Sequence, residues 1–223
     1  MPIVRRPLGA EAASGKFGDE LVFMEIGGVP AVRSFAMPDN PQTAAQTTVR
    51  SRFASQAAAW AGLTEVQRTA WRNYATTRSV VDPLTGKSQK LSGWNLFVRL
   101  NCLALAAGGA ALTEPPASSS PPAPATVALA TVEGNLQVNF TPSPLGATEV
   151  LDVWLFGSAS PGRRPGKGDF QHYTYSDAAK ASPLVLFADP PAGYYTARVR
   201  VIDRATGLTS AWLRSEAFDA SAL

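Results

Sequence analysis

Residues 113–126 read TEPPASSSPPAPAT, and this stretch governs how the rest of the sequence is divided. It contains five prolines, three serines and three alanines but no large apolar side chain. Because such a segment cannot offset its ordering entropy by burying apolar surface, we expect an extended, polyproline-like linker. The sequence therefore predicts two independently folded domains, 1–112 and 127–223, joined by the linker 113–126.

The length and composition are those of a globular protein with two cores. The chain has 223 residues, of which 45% are hydrophobic and 17% are charged. That length allows two domains of roughly 100 residues, each with its own core. No apolar run approaches the roughly 20 residues that span a bilayer, and the first residues lack the apolar stretch of a secretory signal. We therefore expect a cytoplasmic protein with no membrane partner.

Charge is distributed unevenly along the chain. The residues before Glu114 contain 12 Lys and Arg against 7 Asp and Glu, whereas those from Glu114 onward contain 8 against 10. The arginines of the basic half are spread singly along predicted helices, which favours a solvated helix face over a polyanion site. Cys102 is the single cysteine, which excludes an internal disulfide and a thiolate-rich metal site and predicts a buried small hydrophobe.

A β-hairpin is predicted near the start of the chain. Residues 20–26 (ELVFMEI) and 29–35 (VPAVRSF) flank Gly27-Gly28, which accepts the positive φ of a two-residue turn. Residues 16–19 are expected to form the turn that leads into it. The first strand is apolar on both faces, so each face should meet protein. The candidate docking residues are Leu21, Phe23, Met24 and Ile26.

Three amphipathic helices should follow. Asn40 or Thr43 is expected to cap the first, Thr64 the second with Gln67 as its capping-box partner, and Ser92 the third. The apolar stripe of the first helix consists of Val49, Phe53, Ala57 and Trp60. Each helix carries one tryptophan on its apolar stripe, which predicts the core of a small helical bundle rather than an aromatic ligand box. These tryptophans are Trp60, Trp71 and Trp94.

The segments GKFGDELVF, VRSFAMPDNPQTAAQTTVRSRF, WAGLTEVQRTAWRNYA and SGWNLFVRLN resemble a pattern in uncharacterised proteins of tailed phages and prophages. The resemblance covers residues 14–101, nearly the whole front half. It implies a non-enzymatic virion structural protein, found in the host cytoplasm during assembly, whose partners are other virion proteins or further copies of itself. It carries no functional residues over to this chain.

A different interpretation of the front half is a nucleic-acid-binding role. An Asn-Pro, a Trp-x-x-Leu-Thr and a Tyr-Ala resemble the HMG box, whose three helices bend DNA. The order differs here, because Pro41 precedes the first helix and a hairpin precedes that. A dense Lys/Arg run and an apolar wedge, which minor-groove binders need, are also missing. We therefore expect weak, salt-sensitive binding of nucleic acid at most.

The rear half predicts a seven-stranded β-sandwich and thereby an α+β fold for the chain. Seven short apolar segments separated by Gly, Pro and Asp turns fill about 100 residues. In residues 195–201 (YTARVRV), Arg198 and Arg200 are expected to face water while the alternate positions face the core. Together with Pro190, Pro191 and the segment SAW, this pattern resembles a fibronectin type III domain. The resemblance makes Tyr195 a tyrosine corner, a structural role.

The sequence predicts no catalytic, cofactor-binding or metal-ligating residue. His172 lies near Asp169 and Asp177, but the surrounding Gln171 and Tyr173 are typical of an ordinary strand, and no nucleophile elbow is present. A second alternative function is that the sandwich binds a host-surface glycan or an acidic neighbour. Its candidate basic loop contains Arg163, Arg164 and Lys167, although a solvated insertion is the favoured interpretation.

Overall fold

The contacts between residues divide the chain near Thr47 rather than at the Pro-rich segment. The computed structural model describes residues 14–26, 29–37, 40–81, 88–161, 163–166 and 168–220, with the backbone alone at 25, 26, 29, 30, 80 and 81. One compact unit comprises Met1–Thr47 and the other Thr48–Leu223. The helices and the sandwich therefore belong to the same unit.

The first unit contains a three-stranded antiparallel sheet. Its strands are β1 (Gly15–Phe17), β2 (Leu21–Ile26) and β3 (Val29–Ser34), in the order β1-β2-β3. The predicted hairpin is β2 and β3, and Ile26 pairs with Val29 as a two-residue loop requires; residues 27 and 28 lie outside the described residues. The expected lead-in turn is in part a third strand, which the sequence conceals because three residues are too short to show alternation.

Three helices follow at the positions that the capping residues indicate. They are α1 (Ala44–Gly62), α2 (Glu65–Thr76) and α3 (Gly93–Ala106). Thr43 Oγ1 accepts a hydrogen bond from Gln46 N at 3.3 Å. Thr64 and Gln67 form the predicted capping box, and Ser92 Oγ accepts from Asn95 N at 3.2 Å.

The helical core is centred on the contact between α2 and α3. Trp71 is fully buried, and its ring packs edge-on against Phe97 with centroids 5.3 Å apart. The C-terminal end of α1 joins this cluster through Trp60, which is half-buried and lies 5.4 Å from the Phe97 ring. Between α2 and α3, the short strands β4 (Val80–Val81) and β5 (Ser88–Gln89) pair with each other. Residues 82–87, between these two strands, lie outside the described residues.

The rear half is a β-sandwich, as the resemblance to fibronectin type III domains implied. Strands β6 (Thr126–Val132), β7 (Asn135–Thr141) and β10 (Leu184–Ala188) form one sheet in the order β10-β7-β6. The second sheet has the order β12-β11-β8-β9, and β13 also pairs with β11. Its strands are β8 (Glu149–Ser158), β9 (Gln171–Tyr175), β11 (Tyr194–Asp203), β12 (Leu213–Arg214) and β13 (Phe218–Asp219). The seventh predicted segment is thus two short strands.

The core of the sandwich consists of the inward-facing positions of both sheets. The fully buried residues of this core include Leu136, Val138, Leu151, Val153, Ala197 and Val199. Tyr195 belongs to it, and its hydroxyl donates to Pro191 O at 2.8 Å, as expected of a tyrosine corner.

Helix α3 packs against the outward-facing side of the five-stranded sheet. Val150 and Ile202 lie on that side, are fully buried and contact Ala107 at the end of α3. Leu208, from the turn after β11, belongs to the same buried cluster as Trp71. Apolar residues of the helical half and of the sandwich thus share buried clusters.

The Pro-rich segment also contacts folded structure along its length. Trp71 Nε1 donates to Thr113 O at 3.0 Å, and Arg78 donates to Ser118 O at 3.4 Å. Pro116 and Pro124 are buried. Composition correctly predicts the lack of helix and strand over residues 113–125, although Thr126 already begins β6. It does not predict where the backbone carbonyl groups find hydrogen-bond donors. The limits 113 and 126 as domain boundaries remain a prediction.

We expect Gly207→Ala to destabilise the protein more than Gly108→Ala. Both glycines have positive φ, +69° and +78°, so each substitution carries a backbone cost of about 1–2 kcal/mol. A Cβ at Gly207 would overlap the carbonyl oxygen of Leu100 in α3, whereas a Cβ at Gly108 meets nothing. The overlap should add about 1–3 kcal/mol. Urea unfolding of both variants measures the difference, and equal losses would contradict the close packing of α3 on the sandwich.

Candidate interaction surfaces

The candidate docking residues of the hairpin are only partly covered. Leu21 is 37% exposed, while Phe23 and Met24 are half-buried. The side chain of Ile26 lies outside the described residues. Phe17 of β1, which the sequence analysis passed over, is 60% exposed and adds an aromatic ring to the apolar surface of this sheet.

Helix α1 leaves half of its predicted apolar stripe uncovered. Val49 is 63% exposed and Phe53 is 50% exposed, and the single buried residue of the helix is Gln56. The expectation that this stripe lies in the core of a bundle is corrected for Val49 and Phe53, whereas Ala57 and Trp60 towards the C-terminal end of α1 are half-buried. We name Val49, Phe53 and Trp94 the α1 face.

Trp94 is the one predicted core tryptophan that lies at the surface. It is 36% exposed and meets the Phe53 ring edge-on at 6.3 Å. The buried side of α3 is occupied instead by Leu96, Phe97 and Leu100. The α1 face also carries positive charge, because α1 contains Arg50 and Arg52 but no acidic residue. The neighbouring Glu65 is engaged by Arg72 at 2.5 Å.

A second surface lies on the outward-facing side of the five-stranded sheet. Arginines and aromatic rings alternate there across neighbouring strands. In the register of β8 and β11, Asp152 pairs with Arg200 and Trp154 pairs with Arg198. The rings of Trp154 and Trp212 pack edge-on with centroids 5.9 Å apart. We call this arrangement the arginine–tryptophan ladder.

The first rung of the ladder is a buried ion pair. Asp152 is fully buried and accepts from Arg200 Nε at 2.7 Å and from Trp154 Nε1 at 2.9 Å. His172 Nε2 lies 3.6 Å from the same carboxylate. Burial raises the pKa of Asp152, and the charge of Arg200 opposes this rise. The carboxylate is therefore held by direct donors in a site that disfavours its charge.

The second rung is a guanidinium group surrounded by rings. Arg198 Cζ lies 4.3 Å from the Trp212 centroid, 5.0 Å from Phe170 and 5.2 Å from Trp154. Burial, followed by the charge of Arg200, lowers the pKa of Arg198. Its Nε is buried and has no hydrogen-bond partner. The expectation that Arg198 and Arg200 face water is corrected, because the rings of Trp154 in β8, Phe170 before β9 and Trp212 before β12 lie close to their guanidinium groups.

The candidate basic loop borders this ladder. Arg163 stacks on the Phe156 ring at 5.3 Å and lines an open depression of about 580 Å³ together with Asp169 and His172. Arg164 is exposed, and Lys167 lies outside the described residues. The loop is thus partly attached to the sheet through Arg163, rather than being wholly a solvated insertion.

His172 and Cys102, whose side chains can take part in catalysis, each lie in contact with neighbouring protein groups. The His172 ring packs at a tilt against Tyr175 with centroids 4.5 Å apart, and the carboxylate 3.6 Å from its Nε2 is that of Asp152 rather than Asp169 or Asp177. Burial raises the pKa of the Cys102 thiol, which disfavours the reactive thiolate. Within the described residues, no group of three or more His, Cys, Asp and Glu side chains is placed to hold a metal ion. None of the described helices is long and apolar enough to cross a bilayer.

The ladder residues were missed because their pattern is spread over four strands. Arg198 and Arg200 occupy alternate positions of β11, which the sequence analysis assigned to solvent. Trp154 and Trp212 come from segments about 58 residues apart, a separation that no local pattern links. One signal that could have indicated the ladder is the tryptophan of DVWLF. It occupies an outward-facing position, where a large aromatic ring needs another side chain to cover it.

Comparison with protein-family models and with curated proteins gives no match for this chain.

Asp152→Ala should strongly destabilise the protein. The change leaves the guanidinium of Arg200, whose side chain is 13% exposed, and the indole N–H of Trp154 without their acceptor. Breaking a buried pair in this way costs about 3–5 kcal/mol. Glu65→Gln, which removes an exposed partner of Arg72, is the matched control and should have a much smaller effect. Chemical unfolding monitored by tryptophan fluorescence compares the two, and similar losses would contradict the structural importance of the buried pair.

The stability of the wild-type protein should also decrease as pH rises through the range in which Asp152 ionises. Since burial raises the pKa of Asp152 in the folded state, the folded protein binds more protons than the unfolded chain in this window. Stability therefore decreases as pH rises from the ordinary value of 3.8 through the folded pKa. Asp152→Asn should lack this contribution. Unfolding free energies of both proteins measured across acidic pH test the sign, and a wild-type contribution that rises with pH would contradict it.

Proposed function

We propose that this protein is a non-enzymatic virion structural protein of a tailed phage or prophage. It docks on a capsid or tail assembly through its hairpin sheet and the α1 face, and it presents the β-sandwich. The resemblance of residues 14–101 to phage and prophage proteins supports the class of protein. The surface of α1 supports the mode of action.

The exposed face of α1 is the observation that carries this proposal. A helix of 19 residues buries one side chain, Gln56, while Val49 and Phe53 stay half exposed or more. In proteins, most of the stability of a helix comes from packing of its apolar face rather than from intrinsic helix propensity. An apolar face left open in one chain is typical of a surface that a neighbouring protein covers.

The hairpin sheet supports the same conclusion independently. Small antiparallel sheets need a packed apolar face for stability. Phe17 and Leu21 nevertheless remain exposed in β1 and β2. Both surfaces therefore favour a protein partner, either another virion protein or a second copy of the chain.

A nucleic-acid role for the same helices is less well supported. Arg50 and Arg52 would provide phosphate contacts, but Val49 and Phe53 lie exposed beside them. Phosphate contacts use cationic and polar donors, and large exposed apolar side chains add nothing to them. The remaining alternative, a ligand-binding sandwich, is favoured by the basic residues around the five-stranded sheet.

Val49→Asp should abolish docking, whereas Val132→Asp should not. The two valines are 63% and 51% exposed, so both changes are tolerated by the fold, but Val132 lies in the sandwich. A charge placed on the α1 face must lose its hydration when the partner covers it, which opposes association. Tagged variants are expressed in the phage or lysogen that carries the gene, and the amount in purified particles is measured by quantitative mass spectrometry.

Circular dichroism shows whether each variant remains folded, and light scattering reports self-association of the purified chain. We expect wild-type and Val132→Asp chains in particles and Val49→Asp chains in the soluble fraction. Absence of the wild-type chain from particles would overturn the virion assignment. Equal incorporation of both variants would overturn the role of the α1 face alone.

A further inference from the structure

The second rung of the ladder holds two like charges opposite each other. Arg198 of β11 and Arg214 of β12 are directly paired in the antiparallel register. Both guanidinium groups lie near the same ring, with Cζ atoms 5.0 and 5.7 Å from the Phe170 centroid. Like charges directly opposite across two strands are destabilising. A negative charge at this point would remove the repulsion.

The first rung already contains a negative charge in this arrangement. There the carboxylate of Asp152 is held by Arg200 Nε and Trp154 Nε1 at 2.7 and 2.9 Å. At the second rung, no acidic side chain among the described residues forms an ion pair with Arg198 or Arg214. The charge of Asp152 acts on Arg198, but the Asp152 carboxylate accepts its hydrogen bond from Arg200. The second rung therefore has the cations and rings of the first without its carboxylate.

The donors of the second rung are largely unused. A guanidinium group carries five N–H donors. Within the described part of the chain, Arg198 donates no hydrogen bond to protein, and Arg214 donates one, to Pro165 O at 3.4 Å. Arg198 is held in place by Trp212, Phe170 and Trp154, so its orientation is fixed before any ligand arrives. Pre-orientation of a planar guanidinium reduces the entropy lost on binding a carboxylate.

We propose that Arg198 and Arg214 form a binding site for the carboxylate groups of an acidic protein segment, seated beside Phe170 on the outward-facing side of the sandwich. Planar guanidinium groups bind carboxylates through two parallel hydrogen bonds, while their faces stay on the rings. The rings also offer apolar contact to the methylene groups of glutamate. The site goes beyond docking through α1, and its existence does not depend on the virion assignment.

The site has an accessible entrance and closed ends. Arg214 is exposed, and Trp212 is half-buried, so a chain can approach from the β12 edge. At one end α3 covers Val150 and Ile202, and at the other Phe170 and Pro165 are buried.

The test measures binding of a fluorescein-labelled oligoglutamate peptide to the full-length protein by fluorescence anisotropy. We expect saturable binding that Arg198→Gln and Arg214→Gln each weaken by about tenfold or more, as loss of one charged hydrogen-bonded contact implies. Arg78→Gln is the matched control, because Arg78 also stacks on a ring, Tyr74 at 5.0 Å, but lies away from the sheet. Its affinity should equal that of the wild type.

Two further measurements decide what kind of site this is. The Nε–H resonance of Arg198 in heteronuclear NMR spectra should shift on addition of the peptide. Heparin and inorganic phosphate serve as competing anions and should displace the peptide less well than unlabelled oligoglutamate at equal ionic strength. Arg214→Gln removes an exposed side chain, so it reports on binding even where Arg198→Gln reduces stability.

Unchanged affinity in both Arg198→Gln and Arg214→Gln would overturn the site. Equal weakening by Arg78→Gln would also overturn it, since binding would then reflect general charge. Stronger binding of heparin or phosphate than of oligoglutamate would overturn the assignment to an acidic protein segment and indicate a sulfated glycan or a phosphate ligand instead.

Discussion

The structure depends on how the outward-facing side of the five-stranded sheet is covered. Val150 and Ile202 point away from the sandwich core yet are fully buried, because the end of α3 lies on them at Ala107. Burying two such side chains contributes about 1.5–3 kcal/mol each. The helix and the sheet therefore share one apolar contact. Further along the same side, Arg198 and Arg200 are covered by the rings of Trp154, Phe170 and Trp212.

Close backbone approach follows from this contact. Gly207 has positive φ and lies against the Leu100 carbonyl of α3, so the turn after β11 can deliver Leu208 to the Trp71 cluster. Trp71 donates to the carbonyl of Thr113, which satisfies an indole N–H that α2 and α3 would otherwise bury without an acceptor. A segment that composition marks as a spacer thus also contributes polar contacts to the helical core.

The same side of the sheet links stability and recognition. Asp152 is a carboxylate whose burial is unfavourable by itself and is tolerated because Arg200 and Trp154 donate to it. One rung away, Arg198 lacks a carboxylate and relies on three rings. Cation–π contacts stabilise a guanidinium group without using its N–H donors. The charge at the first rung is therefore paired within the protein, whereas, within the described part of the chain, most N–H donors at the second rung remain free to bind a partner. The α1 face differs in kind, because its side chains Val49, Phe53 and Trp94 are apolar and remain partly exposed.

Local sequence signals determined most of the secondary structure. Thr43, Thr64 and Ser92 fixed the helix starts, because a hydroxyl before an apolar-periodic segment satisfies the free N–H groups of the first turn. Alternation in residues 195–201 fixed which side of β11 faces the core, and it predicted the sandwich and the place of Tyr195. The α+β class followed from these signals.

Only tertiary structure decided which outward positions are covered: that Trp94 lies at the surface, that Val49 and Phe53 are left open, and that Arg198 lies among three rings. Those outcomes depend on residues far apart in sequence that meet only when α3 and four strands pack together, and periodicity within one segment carries no information about its neighbours.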